Sequence, residues 1–542
     1  MNGQGGGPEP MLSRSLLTLG LPLRSPRIAA LATLILLGFY LLTMARDLSL
    51  FDSAELALVA VQLGLGHPTG QPLHTLLGFV FSHLPGLSPL VGLNLLSALA
   101  GALCVIPVIS VTEGLHGGRF PPQWLLLAVA VAAGLHPALW EPATRVEVYS
   151  LAALCSLWAI ARVAACTASV DFVWAGFALG LGACANPYVS LIAALALAPG
   201  VIGDLIHRRL AARTIPLACI GGLLGLLPYL YVLAVASRKG VMVWGRPTDA
   251  ESLRHYFLGL DFAGNRGIGW QQWLAQAGDW IVWAGERGIF PVLAVGILGY
   301  LFASRRWFLP ATTALGHAVL SILLIASNTA WQPDIPDYVG YLMVALWLAV
   351  PGLVSLFARI RAATRPALIL SLTLVAIVWC LSLPPAFFSR TRHLDRVARV
   401  LAQSALREAP PEAIVVVASD HWVHPMLYLQ RAEHLRQDVV VLAYGLASST
   451  WFWEETFDFH PGLRRVALDS PGGRVGRIRR VLRANPTRAV LVQNSSLSDR
   501  LGITTCVDGW LRTTGGRCGQ PDGRVDGIIG KLASRLGQGA PS

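Results

Sequence analysis

Residues 48–78 read LSLFDSAELALVAVQLGLGHPTGQPLHTLLG, and this one stretch sets the terms for the rest of the chain. It follows an apolar run at 29–45 and opens with Asp52 and Glu55 three residues apart, so on a helix both carboxylates point to one face. Two readings are open. In one the pair is a capping box, with Asp52 as N-cap and Glu55 reaching back from the third helical position. In the other the carboxylates serve chemistry, and the two are compatible because a cap also fixes a carboxylate in place. The stretch then breaks at His67-Pro68-Thr69-Gly70-Gln71-Pro72, a rigid segment that no helix can run through.

Outward from this loop the chain is apolar. Of its 542 residues 54% are hydrophobic and 13% charged, about half the usual charged share of soluble proteins, and the mean hydropathy is +0.57. This excludes a soluble enzyme, a disordered chain and a collagen-like one. Apolar runs at 29–45, 89–111, 124–140, 148–165, 171–185, 187–203, 215–236, 289–303, 308–327, 339–358 and 367–385 predict about eleven transmembrane helices. Shorter apolar stretches within 73–84 and 268–285 predict helices lying at the interface. The expected architecture is an α-helical polytopic membrane protein with a small C-terminal extracytoplasmic α/β domain.

The net charge of +12 comes almost wholly from Arg in short clusters between apolar runs, a pattern that orients a membrane protein and argues against a nucleic-acid partner. With residues 1–28 as a cytoplasmic leader, the clusters at 24–27, 208–213, 305–306 and 359–365 fall inside, and an odd number of spans places the C-terminal segment outside. The predicted boundaries are 29–388 for the transmembrane catalytic region, with outer loops at 46–88 and 237–288, and 389–542 for the extracytoplasmic domain. In that last region AIVVVASD (413–420), DVVVLAY (438–444) and RAVLVQNS (488–495) read as buried strands, with a helix at 424–435. No cleavable signal peptide is read; residue 29 onward is a signal anchor.

Six of the eight cysteines sit in or beside apolar runs and read as small hydrophobes. Cys506 and Cys518 flank a short Gly-rich loop in the polar C-terminal region, and outward placement predicts a disulfide between them.

Carboxylates crowd the predicted outer face, among them Asp47, Asp52, Glu55, Glu141, Glu147, Asp249 and Asp337, while the inner loops hold few. Acid–base chemistry therefore belongs outside. Arg145 and Glu147 form either a site pair or an interfacial salt bridge of little worth. Arg238 stands at the outer end of the seventh run, and Trp244 follows it in the outer loop, where aromatic residues also line membrane interfaces. No nucleotide fingerprint, Walker loop or zinc spacing is present.

The acidic D-S-x-E-L, a helix of about ten residues and G-x-x-H-P-x-G-x-P-L together resemble the first loop of a family of multi-pass GT-C glycosyltransferases. That family includes eukaryotic transmembrane O-mannosyltransferases acting on receptor IPT domains, and bacterial relatives. Asn94, the Arg145-Val-Glu147-Val-Tyr149-Ser150 segment, Pro228 to Arg238 with Trp244-Gly245-Arg246-Pro247, and Asp420 to Asp438 occur in the family's order, so the resemblance spans residues 50–450. Gln71 and Arg246 depart from the family's usual residues.

The resemblance implies transfer of a hexose, by analogy mannose, from a polyprenyl-phosphate donor to a Ser or Thr hydroxyl of a secreted or membrane protein at the outer face. It implies Asp52 as catalytic base with Glu55 beside it, and His67, Pro68, Gly70, Arg145, Glu147, Tyr149, Arg238 and Trp244 as substrate- and donor-binding residues. No cofactor is called for, although a divalent cation is compatible with the Asp/Glu/His content. The competing readings are the same donor with a lipid or polysaccharide acceptor, and a transporter or flippase. Few charges lie within the apolar runs, which disfavours transport.

Overall fold

The protein is described by a computed structural model covering residues 20–116, 121–166, 168–207, 209–265, 268–303, 308–327, 336–363, 391–467, 473–508 and 511–514. Helix dominates. Pro26–Thr43, Pro89–His116, Pro187–Ile206, Thr214–Val235, Phe308–Ala326 and Asp337–Ile360 are long and apolar enough to cross a membrane. Two bent pairs raise these six to eight if each pair is one span: Gln123–Gly134 with Pro137–Ala143, at 66°, and Trp270–Glu286 with Ile289–Phe302, at 85°.

The expected count of about eleven is thus not reached among the described residues. The runs at 148–165 and 171–185 fold as helices Tyr149–Ala164 and Val170–Ala183, of 16 and 14 residues, short of the roughly 20 that a straight span needs. The second is cut where Asn186 caps the next helix, its side chain accepting the N–H groups of Tyr188 and Val189 with Pro187 at the first position. The run at 367–385 lies outside the described residues.

Small residues let these helices meet closely. A Cβ on Gly176 would stand 1.9 Å from the Ala218 carbonyl oxygen, and one on Gly221 1.9 Å from that of Val173, so Val170–Ala183 and Thr214–Gly225 pack backbone to backbone. Ile289–Gly299 and Met343–Ala363 meet likewise through Gly296 and Gly352. Large apolar side chains such as Leu42, Leu191, Leu195 and Leu223 are exposed, as suits lipid as the neighbouring phase.

The chain divides into two compact units. The first comprises Met1–Met44, Leu95–Tyr229 and Gly264–Arg392; the second comprises Ala45–Asn94, Leu230–Ala263 and His393–Ser542. The second holds a five-stranded sheet of β1 (Ile414–Val417), β2 (Val440–Ala443), β3 (Val490–Val492), β4 (Cys506–Asp508) and β5 (Leu511–Thr513), ordered β2-β1-β3-β5-β4. β1 pairs in parallel with β2 and β3, Ile414 opposite Val440 and Val490, whereas β5 runs antiparallel to β3 and to β4. The runs IVVV and VVLA are buried throughout, the pattern of parallel strands covered on both faces. Helix Asp420–Arg431 follows β1, so the turn out of that strand delivers Asp420 and, one helical turn on, His424.

Candidate active site

Helix Ser53–Gln62 begins at Asp52, but the capping box does not form. Asp52 occupies the N-cap position without a side-chain cap hydrogen bond. Glu55, 1% exposed, turns instead to the loop that follows the helix. Its Oε1 accepts the backbone N–H of His67 at 2.7 Å, and its Oε2 lies 3.2 Å from His67 Nδ1 and 3.6 Å from His424 Nε2. Burial disfavours the Glu55 anion; the hydrogen bonds and positive charge of His67, with the charge of His424, more than offset this and pull its pKa down to about 2.

The His67 loop is shaped for that embrace. Leu63 ends the helix in the left-handed region, and Leu65 forms an isolated parallel bridge with Val243 through Leu65 N–H to Met242 oxygen, 2.8 Å, and Trp244 N–H to Leu65 oxygen, 2.9 Å. A Cβ on Gly66 would sit 3.3 Å from Glu55 Oε1 and 3.4 Å from Gln71 Oε1. Gly70 has φ +92 and faces the Tyr256 hydroxyl, which donates to the Gly66 carbonyl at 2.7 Å. Only glycine combines that φ with that proximity. Pro68 sits within the same turn, between His67 and Gly70.

From the C-terminal segment, helix Asp420–Arg431 packs against Ser53–Gln62, and Gln62 Nε2 donates to the Arg431 carbonyl at 3.1 Å. Ser419 caps the incoming helix by accepting the His421 N–H. Phe51 meets His421 edge-on at 4.4 Å. Asp52, Asp420 and His424 thereby come together, with one ligand-type atom from each within 4.8 Å of the others. The sequence reading placed Asp420 within a family segment but gave neither it nor His424 a role. The available signal was the Asp-x-x-x-His spacing, which puts both on one helix face.

Arg238 is exposed, and its NH1 donates to the Gln62 and Leu63 carbonyls at 3.3 and 2.9 Å, completing the C-terminus of the Glu55 helix. Trp244 is 4% exposed. It stacks on Phe262, tilts against Trp451, meets His67 edge-on and donates its indole N–H to Asp261 at 3.1 Å. The ring braces His67 and offers no open face to a sugar.

Arg145, Glu147 and Tyr149 belong to the first unit and make their own cluster. The pair read as either a site pair or an interfacial salt bridge is buried: the Arg145 side chain, 2% exposed, lies 3.0 Å from Glu147 and is also paired with Asp337, which the sequence reading left out of the site. Ser97 Oγ holds the Glu147 backbone, accepting its N–H and donating to its carbonyl. Tyr149 stacks edge-on with Tyr341 and sits on Gly340. Both Arg145 partners are carboxylates, so its charge is already compensated. Of the two cysteines expected to pair, Cys518 and the side chain of Cys506 lie outside the described residues.

Residues 52–202 match the family model of the Protein O-mannosyl-transferase TMEM260 N-terminal domain. Protein O-mannosyl-transferase TMEM260 of Mus musculus is 24% identical over 461 residues, covering 78% of this chain and 63% of the relative. The Dictyostelium discoideum protein of the same description is 33% identical over 115 residues, 21% of this chain and 14% of the relative. The chain thus spans less than two thirds of the length of these relatives. Among solved structures, ArnT from Cupriavidus metallidurans bound to undecaprenyl phosphate aligns with a TM-score of 0.52 at 14% identity, covering 92% of this chain and 99% of that one. The Archaeoglobus fulgidus oligosaccharyltransferase aligns with a TM-score of 0.50 at 12% identity, covering 86% and 69%. The fold resembles that of these two solved structures, and the resemblance of the first loop to the transmembrane O-mannosyltransferases is matched by the family model over residues 52–202.

Proposed function

We propose that the protein is a GT-C glycosyltransferase that moves a hexose, by analogy with its relatives mannose, from a polyprenyl-phosphate donor to a Ser or Thr hydroxyl of a translocated protein. The observation that carries this reading is the state of Asp52. It sits at the head of a helix whose N-terminus it does not cap, beside Asp420 and His424, and directly before the buried Glu55–His67 clasp.

A Ser or Thr hydroxyl is far too weak an acid to ionise at neutral pH. A carboxylate within hydrogen-bond reach takes its proton as the oxygen attacks the anomeric carbon. The new C–O bond forms as the bond from C1 to the phosphate oxygen breaks, with inversion, and the leaving electron pair stays on the lipid phosphate. Asp52 receives the proton. Glu55, held by the backbone and ring of His67, fixes the loop and helix start around it. The leaving phosphate needs a cation more than an acid, and Arg238 keeps guanidinium nitrogens beyond its capping NH1 for that purpose. In this reading Asp52 and the segment after residue 392 face outside, where lipid-linked donors and translocated acceptors meet. Purified protein incubated with polyprenyl-phosphate mannose and a Ser/Thr-bearing acceptor should release free polyprenyl phosphate in proportion to sugar incorporated. Absence of both products with mannose, glucose and galactose donors would overturn the reading.

A further inference from the structure

Asp52, Asp420 and His424 offer two carboxylates and an imidazole whose ligand atoms lie within 4.8 Å of one another. Around a six-coordinate ion with bonds of about 2.1 Å, neighbouring ligand atoms stand about 3 Å apart and opposite ones about 4.2 Å. Small side-chain adjustments bring the three into that range. His424 supplies the second observation. Its side chain is 5% exposed, its Nδ1 has no hydrogen-bond partner among the described residues, and its Nε2 lies 3.7 Å from Asp420 Oδ1 and 3.6 Å from Glu55 Oε2. Those distances exceed a hydrogen bond. An imidazole buried this deeply ordinarily finds a hydrogen-bond partner; here Nδ1 has none among the described residues, and the other ring nitrogen, Nε2, faces the Asp420 and Glu55 carboxylates from just beyond bonding range.

We infer that Asp52, Asp420 and His424 bind a divalent first-row cation, with water completing the coordination. The imidazole selects against Ca²⁺ and Mg²⁺, and the two hard carboxylates with no thiolate suit Mn²⁺. One oxygen of Asp52 suffices for the ion, and the other remains for a proton. The ion ties the start of helix Ser53–Gln62 to the start of helix Asp420–Arg431, two segments far apart in sequence. Binding stands on this geometry alone; only the ion's use in sugar transfer rests on the base assignment proposed above.

The test uses tag-free full-length protein in detergent, stripped with EDTA and titrated with MnCl₂, free Mn²⁺ being read by its electron paramagnetic resonance signal. One saturable site is expected, with Zn²⁺ displacing the Mn²⁺. Asp420→Asn and His424→Gln should each weaken uptake by about tenfold or more. Asp420 is 68% exposed in its side chain, so its variant keeps the metal-free melting temperature of the parent even where His424→Gln does not. No saturable uptake of either ion, or unchanged affinity in Asp420→Asn, would overturn the inference. Because ion uptake is measured and not sugar transfer, a failure here leaves the transferase reading standing, and a failure of transfer leaves the ion site standing.

Discussion

The backbone N–H of His67 donates to the Glu55 carboxylate at 2.7 Å, closing a loop of twelve residues onto the first turn of the helix that precedes it. The same carboxylate meets the His67 ring at 3.2 Å, so one buried anion holds both the backbone and the side chain of the His-Pro turn. Helix start, helix end and turn become one rigid piece, and Asp52 stands at its edge.

Removing that anion should loosen the piece. Glu55→Ala leaves the His67 N–H buried without an acceptor, at a cost of about 1–3 kcal/mol. Glu55→Gln keeps an acceptor oxygen and loses only the charge, so its melting temperature should fall between those of the parent and the Ala variant. Equal melting temperatures for all three would show that the clasp contributes nothing to stability.

Arg145 should be a stability residue first. With both Glu147 and Asp337 paired to it in a buried setting, Arg145→Ala strands their charges and should cost about 3–5 kcal/mol. Asp337→Asn removes one of two partners and should cost less. The check is thermal unfolding in detergent together with the yield of monodisperse protein; wild-type behaviour of Arg145→Ala would place this cluster outside the folding core.

The loop from Asp52 to Pro72 was legible because its signals are local: two carboxylates at helical spacing, then a Pro and Gly break. What the local pattern misjudged was the partner of Glu55, since a capping box and a clasp onto His67 use the same residue at the same position, and only the tertiary turn decides between them. His424 and Asp337 stayed hidden for a different reason. The first reaches Glu55 across 369 positions and the second reaches Arg145 across 192, and a lone His or Asp carries no mark of so distant a partner. The strands of the C-terminal segment were readable as short runs of Val, Ile and Leu, yet their order β2-β1-β3-β5-β4 depends on pairings that no period encodes. Among the described residues the runs at 148–165 and 171–185 form helices shorter than a straight span, because hydropathy registers apolar length and not where a cap such as Asn186 divides one helix from the next.

His460 ends helix Thr450–Phe459 and is buried. Burial, with Arg431 and Arg488 nearby, lowers its pKa to about 4 from the ordinary value of 6.5. The folded protein therefore keeps it neutral where the unfolded chain would protonate it. That contribution is intact above about pH 6.5 and is lost progressively toward pH 4, a change on the order of 3 kcal/mol. Melting temperature should drop across this window in the parent and drop less in His460→Gln. Parallel pH profiles would remove His460 as a source of acid sensitivity.

Arg238 serves two ends that a pair of variants separates. Arg238→Lys keeps a cation and one donor for the Leu63 carbonyl, while Arg238→Ala keeps neither. If a guanidinium nitrogen reaches the donor phosphate, Arg238→Ala should weaken apparent donor affinity by a factor worth about 1.5–3 kcal/mol, with Arg238→Lys in between. A fall in melting temperature with donor affinity unchanged would leave Arg238 as a helix cap alone.

Asp52 carries the proposed chemistry. Since the Asp52 side chain makes no cap hydrogen bond, Asp52→Ala should not show the loss of about 1 kcal/mol that a true N-cap shows on change to Ala, and Asp52→Asn should keep the helix. Asn preserves size and hydrogen-bonding capacity but accepts no proton at neutral pH, so turnover should fall by roughly 10²-fold or more in both variants. Loss of a base lowers kcat with the Michaelis constant for the lipid-linked donor little changed, because donor binding does not use the proton acceptor. Transfer near the parental rate in Asp52→Asn, on protein of matched melting temperature, would remove Asp52 as the base and shift the search to Asp420 across the same small cluster.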